Sequence, residues 1–321
     1  MTRAQSLFTK QFPHLLFEFD YALSARSYFK IGGKAEVFYS ANDESTAKEL
    51  LLFCQAENIR YTILGGASNV IISDKGLDGL VLHLDLQDLV FLHEDEKILR
   101  CKVGAGAKTA YLVAKTAARG GAGLEGFIGV PGTSGGAIYN NAHYLNALIS
   151  DTIVSIDAFD THDNQMVTLT KQECDFAYEH SVFQTKKHLI IFSAIFELPK
   201  DQPELIQARV RESKERRERK QPLNMPSCGC VFQNPANTDE LKKKFPQFVD
   251  FEFIPAGFLI ETAGLKGLRV GGVEVSDKHA AFFVNVGEGK AEDVKQLVQL
   301  VKAKVKALFN VELKEEVFYL D

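Results

Sequence analysis

The stretch Gly123-Leu-Glu-Gly-Phe-Ile-Gly-Val-Pro-Gly-Thr-Ser-Gly-Gly-Ala-Ile-Tyr-Asn-Asn-Ala142 decides how this chain is read. It is dense in glycine and small residues and follows neither the helical nor the strand period. Glycine lets a backbone approach a ligand closely and take positive φ. Successive free amides in such a loop would cradle a pyrophosphate, with Thr133 adding a side-chain donor. Leu64-Gly65-Gly66-Ala67-Ser68-Asn69, where Ser68 and Asn69 add donors, and Gly104-Ala105-Gly106 have the same character. Any one of these loops alone reads more readily as a tight turn, because lone glycine motifs are weak. Gly121-Ala122-Gly123-Leu124-Glu125-Gly126 matches G-x-G-x-x-G, but it follows a helical pattern rather than a strand and no helix opens after it, so the Rossmann reading is rejected.

Outward from the loops, residues 42–58 predict a helix that Asn42 or Asp43 can cap, with Thr46 and Glu49 at capping-box spacing. Ala47, Leu50, Leu51 and Cys54 recur on one of its faces. Residues 108–119 predict a second helix with the stripe Ala110, Val113, Ala114 and Ala117, ended by Gly120-Gly121. A charged helix is expected over 204–220, with Pro222 and Pro226 marking a boundary after it. Residues 291–309 form a clear amphipathic pattern through Val294, Leu297, Val298, Val301, Val305 and Leu308. Strands are expected at 60–64, 69–73, 80–84, 97–103, 153–159, 166–169, 188–197, 230–233, 281–286 and 316–320. Such irregular mixing predicts an α+β fold rather than a regular βαβ alternation.

A length of 321 residues allows two or three domains. A net charge of -5 points away from a broad nucleic-acid or membrane footprint. No apolar run is long enough to span a bilayer, and residues 1–14 have no apolar core of a signal peptide, so a cytoplasmic protein is expected. Five cysteines without a framework of spacings suit a reducing compartment. Cys228-Gly229-Cys230 is not a zinc spacing and has no second pair, so no metal is expected.

Taken together, the loops resemble one family. Ser27-Tyr28-Phe29-Lys30-Ile31-Gly32-Gly33-Lys34-Ala35, the 64–71 stretch and the 123–142 stretch resemble, in order and spacing, the FAD-domain signatures of the UDP-N-acetylenolpyruvoylglucosamine reductases (MurB). The likeness continues through the segment from Pro226 to Pro235, that from Gly257 to Gly267, that from Gly271 to Ala280, similar to the shorter subclass, and Glu315-Glu316-Val317. The resemblance implies a vanillyl-alcohol-oxidase/PCMH-type FAD-binding region at 1–202, in subdomains of about 1–75 and 76–202. A substrate domain at 203–310 and a strand at 311–321 that contributes to the active site would follow. It also implies FAD as cofactor, NADPH as hydride donor and UDP-N-acetylglucosamine enolpyruvate as substrate. Cofactor contacts would come from Ile31, Gly65, Gly66, Ala67, Ser68, Asn69, Gly104, Ala105, Gly106, Val130, Pro131, Gly132, Thr133, Gly135, Gly136 and Ala137.

Reducing an enol ether needs an acid for the carbon and groups that stabilise the developing charge. In the family these are a serine, an arginine and a glutamate. Cys230 stands at the serine position, and a thiol is a stronger acid than a hydroxyl. Glu316 matches the glutamate. Tyr178, Asn234 and His279 match substrate-side positions, and Lys220 is the candidate contact to the UDP pyrophosphate. The chain departs from the family twice. Phe176-Ala177-Tyr178-Glu179-His180-Ser181 carries Glu179 where the arginine should be, which reverses a charge beside an anionic substrate. His143 replaces a usual glycine and is given no catalytic role. Three explanations of Glu179 stand open: His180 or another nearby basic residue supplies the charge, Glu179 points away, or catalysis is lost or altered and the chain is a flavin or UDP-sugar binding protein.

Overall fold

The computed structural model describes residues 1–145 and 147–321. The chain opens with α1 (Arg3–Gln11), whose N-cap Thr2 and Gln5 form a reciprocal capping box. The sequence predicts no helix there, since its few apolar positions give a faint period. Next come β1 (Glu18–Ala22), β2 (Lys34–Ala41), α2 (Glu44–Ala56), β3 (Tyr61–Leu64), β4 (Val70–Ile72) and β5 (Leu77–Leu84). One sheet runs β1-β2-β5-β3. Of the two expected caps, Asp43 starts α2, accepting from the Thr46 amide at 2.8 Å. The expected face of α2 (Ala47, Leu50, Leu51, Cys54) is buried with Phe8, Phe12, Leu80 and Leu82.

Then follow β6 (Leu89–Glu94), β7 (Ile98–Gly104), α3 (Thr109–Ala117), α4 (Ser134–Tyr139), β8 (His143–Tyr144), β9 (Ala147–Leu148), β10 (Ile153–Asp160), β11 (Gln165–Thr170), α5 (Val182–Thr185) and β12 (Leu189–Pro199). The second sheet, β11-β10-β12-β7-β6, is antiparallel at every pairing. The buried face of α3 is Thr109, Leu112, Val113, Thr116 and Ala117, while the expected Ala110 and Ala114 are exposed. Alanines carry little apolar area and set the phase of a helix poorly, whereas Leu112 carries more and turns the helix towards itself.

The remaining elements are α6 (Pro203–Lys220), β13 (Ser227–Cys230), α7 (Asp239–Lys244), α8 (Ala256–Thr262), β14 (Arg269–Val270), β15 (Val273–Val275), β16 (Phe282–Asn285), α9 (Ala291–Phe309) and β17 (Phe318–Leu320). The third sheet runs β13-β16-β15-β14, and β17 pairs in parallel with β4. The α9 stripe is as expected except at its end, where Leu308 is exposed and Phe309 is buried. The strand expected over 230–233 lies earlier, at 227–230. Residues 231–233 instead run beside 314–316, with the Glu316 amide bonding Val231 O at 2.8 Å and the Gln233 amide bonding Lys314 O at 2.9 Å.

Two compact units result, both discontinuous. The first is 1–21, 35–66 and 78–217, and the second is 22–34, 67–77 and 218–321. Each has its own apolar core: Phe127, Ile156, Phe183 and Phe196 sit in one, Phe232, Phe283, Val298 and Val301 in the other. Residue 203, where a substrate domain is expected to begin, is the first residue of α6, whose last turn belongs to the second unit. Among the described residues, no helix is long and apolar enough to cross a membrane.

Candidate functional site

In the first unit the glycine loops meet. A Cβ on Gly66 would lie 2.4 Å from Gly132 Cα, so the two loops touch only because position 66 carries no side chain. A Cβ on Gly65 would come within 2.9 Å of Thr133 Oγ1, and one on Gly136 would meet nothing nearer than that same oxygen at 3.6 Å. Backbone from Gly65, Gly66 and Gly132, the Thr133 hydroxyl and exposed Gly136 thus form one cluster. A pyrophosphate suits it. Val130 and Pro131 are half-buried beside it, and Ala137 is buried on α4.

The 104–106 loop does something else. The amides of Gly104, Ala105 and Gly106 are spent on Asp88, Phe192 and Leu86 carbonyls, at 2.8, 2.8 and 2.9 Å. Its carbonyls in turn hold the start of α4, with Ser134 Oγ donating to Gly104 O at 2.6 Å and the Gly135 amide to Ala105 O at 2.9 Å. This loop and Gly135 are a buttress for the cluster. The sequence treats all three loops alike because glycine content does not say where each amide points.

The second unit positions Cys230. Cys228 and Cys230 would share a strand face if β13 were regular. Gly229 has φ +82, and the pairing skips from Ser227↔Val284 to Cys230↔Phe282, a bulge that breaks the alternation. Cys228 therefore points into the core, where burial, helped by the Glu316 carboxylate, pushes its thiol up to about 12. Cys230 is half-buried. Glu316 lies on the neighbouring segment, hydrogen-bonded to Val231, and Glu315 beside it is occupied by Lys302 and by Tyr319, whose hydroxyl donates at 2.6 Å.

Several expected contacts have structural partners here. Asn69 Nδ2 donates to Glu316 O at 3.2 Å, tying the 64–69 loop's last residue to the segment that carries the carboxylate. Ala67, within the 64–69 loop, has φ 50. Ile31 is buried in the second unit's core with Phe29 and Ile71. Asn234 Oδ1 accepts from the Ala256 amide at 2.9 Å, where α8 begins. His279 accepts from Ala281 at 3.3 Å, and burial holds it below its ordinary value, with Lys266 and Lys220 acting in the same direction. Lys220 thus lies within electrostatic reach of His279.

The two departures from the family pattern touch each other. Glu179 is 1% exposed at its side chain, and its carboxylate is hydrogen-bonded by His143 Nδ1 and Asn140 Nδ2. Tyr178 packs on the His143 ring at 5.0 Å. His180 instead faces Asp175, at 3.6 Å. Two further residues drew no notice in the sequence. Asn140 becomes visible only once the chain folds back, and Arg217, set within a run of charges that resembles a solvated face, is buried over the Tyr144 ring at 5.2 Å. Asp160, His162 and His188 have donor atoms within 4.8 Å of one another at the β10–β11 hairpin, a grouping from distant positions that no local spacing announces.

Such a fold and loop cluster define an FAD-dependent oxidoreductase. Residues 35–170 match the FAD binding domain family model, and residues 221–320 match that of the UDP-N-acetylenolpyruvoylglucosamine reductase C-terminal domain. UDP-N-acetylenolpyruvoylglucosamine reductases from Listeria monocytogenes serotype 4a and Lactococcus lactis subsp. cremoris are 36% and 38% identical, over 96% and 95% of both chains. The crystal structure of MurB from Thermus caldophilus superposes with a TM-score of 0.73 at 28% identity, covering 96% of this chain and 99% of that one. The chain belongs to the UDP-N-acetylenolpyruvoylglucosamine reductase family. The α+β fold with a vanillyl-alcohol-oxidase/PCMH-type FAD-binding region, expected from the sequence, is borne out.

Proposed function

We propose that this protein is a cytoplasmic reductase that converts UDP-N-acetylglucosamine enolpyruvate to UDP-N-acetylmuramate, with NADPH as hydride donor, in peptidoglycan precursor synthesis. Identity of 36% over 96% of the chain with a named reductase carries the reading. Bound FAD would supply hydride transfer from NADPH to the enol-ether carbon. Gly65, Gly66, Gly132, Thr133 and Gly136 would hold its pyrophosphate. Hydride addition leaves the neighbouring carbon electron-rich, with charge spread into the substrate carboxylate. Cys230 would protonate that carbon through Sγ–H, and Glu316, on the adjoining segment, would orient the thiol and help return its proton. Tyr178, Lys220, Asn234 and His279 remain the candidate substrate contacts. Their arrangement supports a division in which Lys220 meets phosphate charge and Asn234 shapes the start of α8.

Loss of catalysis through Glu179 is the weaker reading, because that carboxylate is buried on His143 and Asn140 rather than bare. The two half-reactions test the proposal. NADPH should bleach the flavin anaerobically, and the enolpyruvyl sugar should restore the oxidised spectrum as UDP-N-acetylmuramate forms. Bleaching without recovery would sink it.

A further inference from the structure

Glu179 occupies a costly position. The amides and carbonyls of Ala177 and His180 bond each other at 3.2 and 3.1 Å, closing a two-residue turn over Tyr178 and Glu179. Glu179 sits in that turn at φ 53, a conformation that favours glycine or asparagine. A carboxylate is also expensive to bury without partners. Both costs are met by surroundings built around it. Gln184 Nε2 bonds Glu179 O at 3.0 Å and Tyr139 O at 3.1 Å, while Asn141 Nδ2 bonds Ala177 O at 2.7 Å and Ser181 Oγ bonds Tyr139 O at 2.6 Å. Backbone strain kept in place by this many contacts is characteristic of sites that act on something.

What the carboxylate holds is the His143 ring. An ionised carboxylate only accepts, and its two partners here are both able to donate, so Nδ1 carries a hydrogen and Nε2 is the nitrogen left to act. Tyr178 against the ring fixes its plane, and 26% of the His143 side chain is exposed. An anionic oxygen at Nε2 would set the imidazole between two negative groups, where its doubly protonated form hydrogen-bonds both. Asn140 and His143 flank the C-terminal end of α4, whose other end carries Thr133. Six residues at 1.5 Å each put the His143–Glu179 pair roughly 9 Å along the helix from Thr133.

We infer that His143, oriented by the buried Glu179, is an anion-binding contact of the first unit and holds a carboxylate oxygen of the substrate through Nε2–H. Resting on the reductase reading above, it assigns Glu179 as a positioning residue and His143 as the cation that an arginine would otherwise supply. The contact needs hydrogen on both ring nitrogens, so it weakens as pH rises. Titratable and charged groups on the elements packed around the ring are Glu179 and Tyr178 of the turn, Tyr139 on α4, kept protonated by burial, Asp151 beyond β9, Glu125 with its partner Arg209 in the 125–127 turn against β8, and Arg217 over Tyr144.

The experiment uses the flavin-loaded full chain, measuring NADPH reduction and enolpyruvyl-sugar reoxidation separately across pH. In His143→Gln, reoxidation should fall about 100-fold more than reduction and lose its decline with rising pH. Glu179→Gln should slow reoxidation by about tenfold or more. The double variant His143→Gly with Glu179→Arg should recover it. A wild type that never reoxidises removes the reductase reading and this inference with it. A competent wild type whose His143→Gln variant matches it in rate and pH profile overturns the inference alone. Loss of flavin from both single variants and the double would assign the pair to folding, which also overturns it.

Discussion

Cys228 and Cys230 differ in one respect that a labelling experiment can read. Burial pushes Cys54 up to about 12, Cys101 and Cys174 up to about 11, and Cys228 up to about 12, so all four are protonated and enclosed at pH 8. Iodoacetamide on the native apoprotein should therefore modify Cys230 first, as mapped by peptide mass spectrometry. Preferential labelling of any buried thiol would show that the bulge at Gly229 does not expose Cys230. At the glycine loops the expected effect is steric. Gly66→Ala puts a methyl group against Gly132 Cα and should weaken FAD retention by about 1–3 kcal/mol, read as flavin absorbance per mole of purified chain. Retention equal to wild type would mean that the loop contact has no part in holding the cofactor.

Among the elements, α9 separates burial from mere apolarity. Leu297 is fully buried and Leu300, three residues on, is half-exposed. Leu297→Ala should cost about 2–5 kcal/mol in urea unfolding. Leu300→Ala should stay within about 0.5 kcal/mol. Equal costs would mean that the helix is packed on a different face. This helix was legible from sequence because large aliphatics set its phase over nineteen residues. The face of α3 was not, since alanines set phase weakly, and α4 was hidden by its own Ser-Gly-Gly start, which has poor helix propensity and forms on the support of the 104–106 loop.

For the whole molecule, acid should be felt through His279. Burial, then Lys266 and Lys220, hold its folded value below the ordinary one. The unfolded chain thus takes up a proton near pH 6.5 that the folded chain refuses, and stability falls as pH drops from about 6.5 towards the folded value. The melting temperature should decline over that window, and His279→Gln should remove part of the decline. An unchanged slope would place the acid sensitivity elsewhere. The glycine loops and the segments that carry Cys230 and Glu316 were readable in the sequence because motifs there are contiguous and strongly patterned. The His143–Glu179 contact was not, because it joins residues 36 apart that each looked like a separate defect. The discontinuous second unit was equally hidden, since local periodicity says nothing of which distant stretches share a core.

The parallel pairing of β4 with β17 has a consequence for how the protein is made. Asn69 and Glu316 are separated by 247 residues, and among the described residues the strand at 70–72 has no strand partner until the ribosome has delivered 318–320. At about 5–20 residues per second that wait is roughly 10–50 s. During it, an apolar edge stands open on the nascent chain. The segment that carries Glu316 thus matures late in synthesis, long after the glycine loops have been translated.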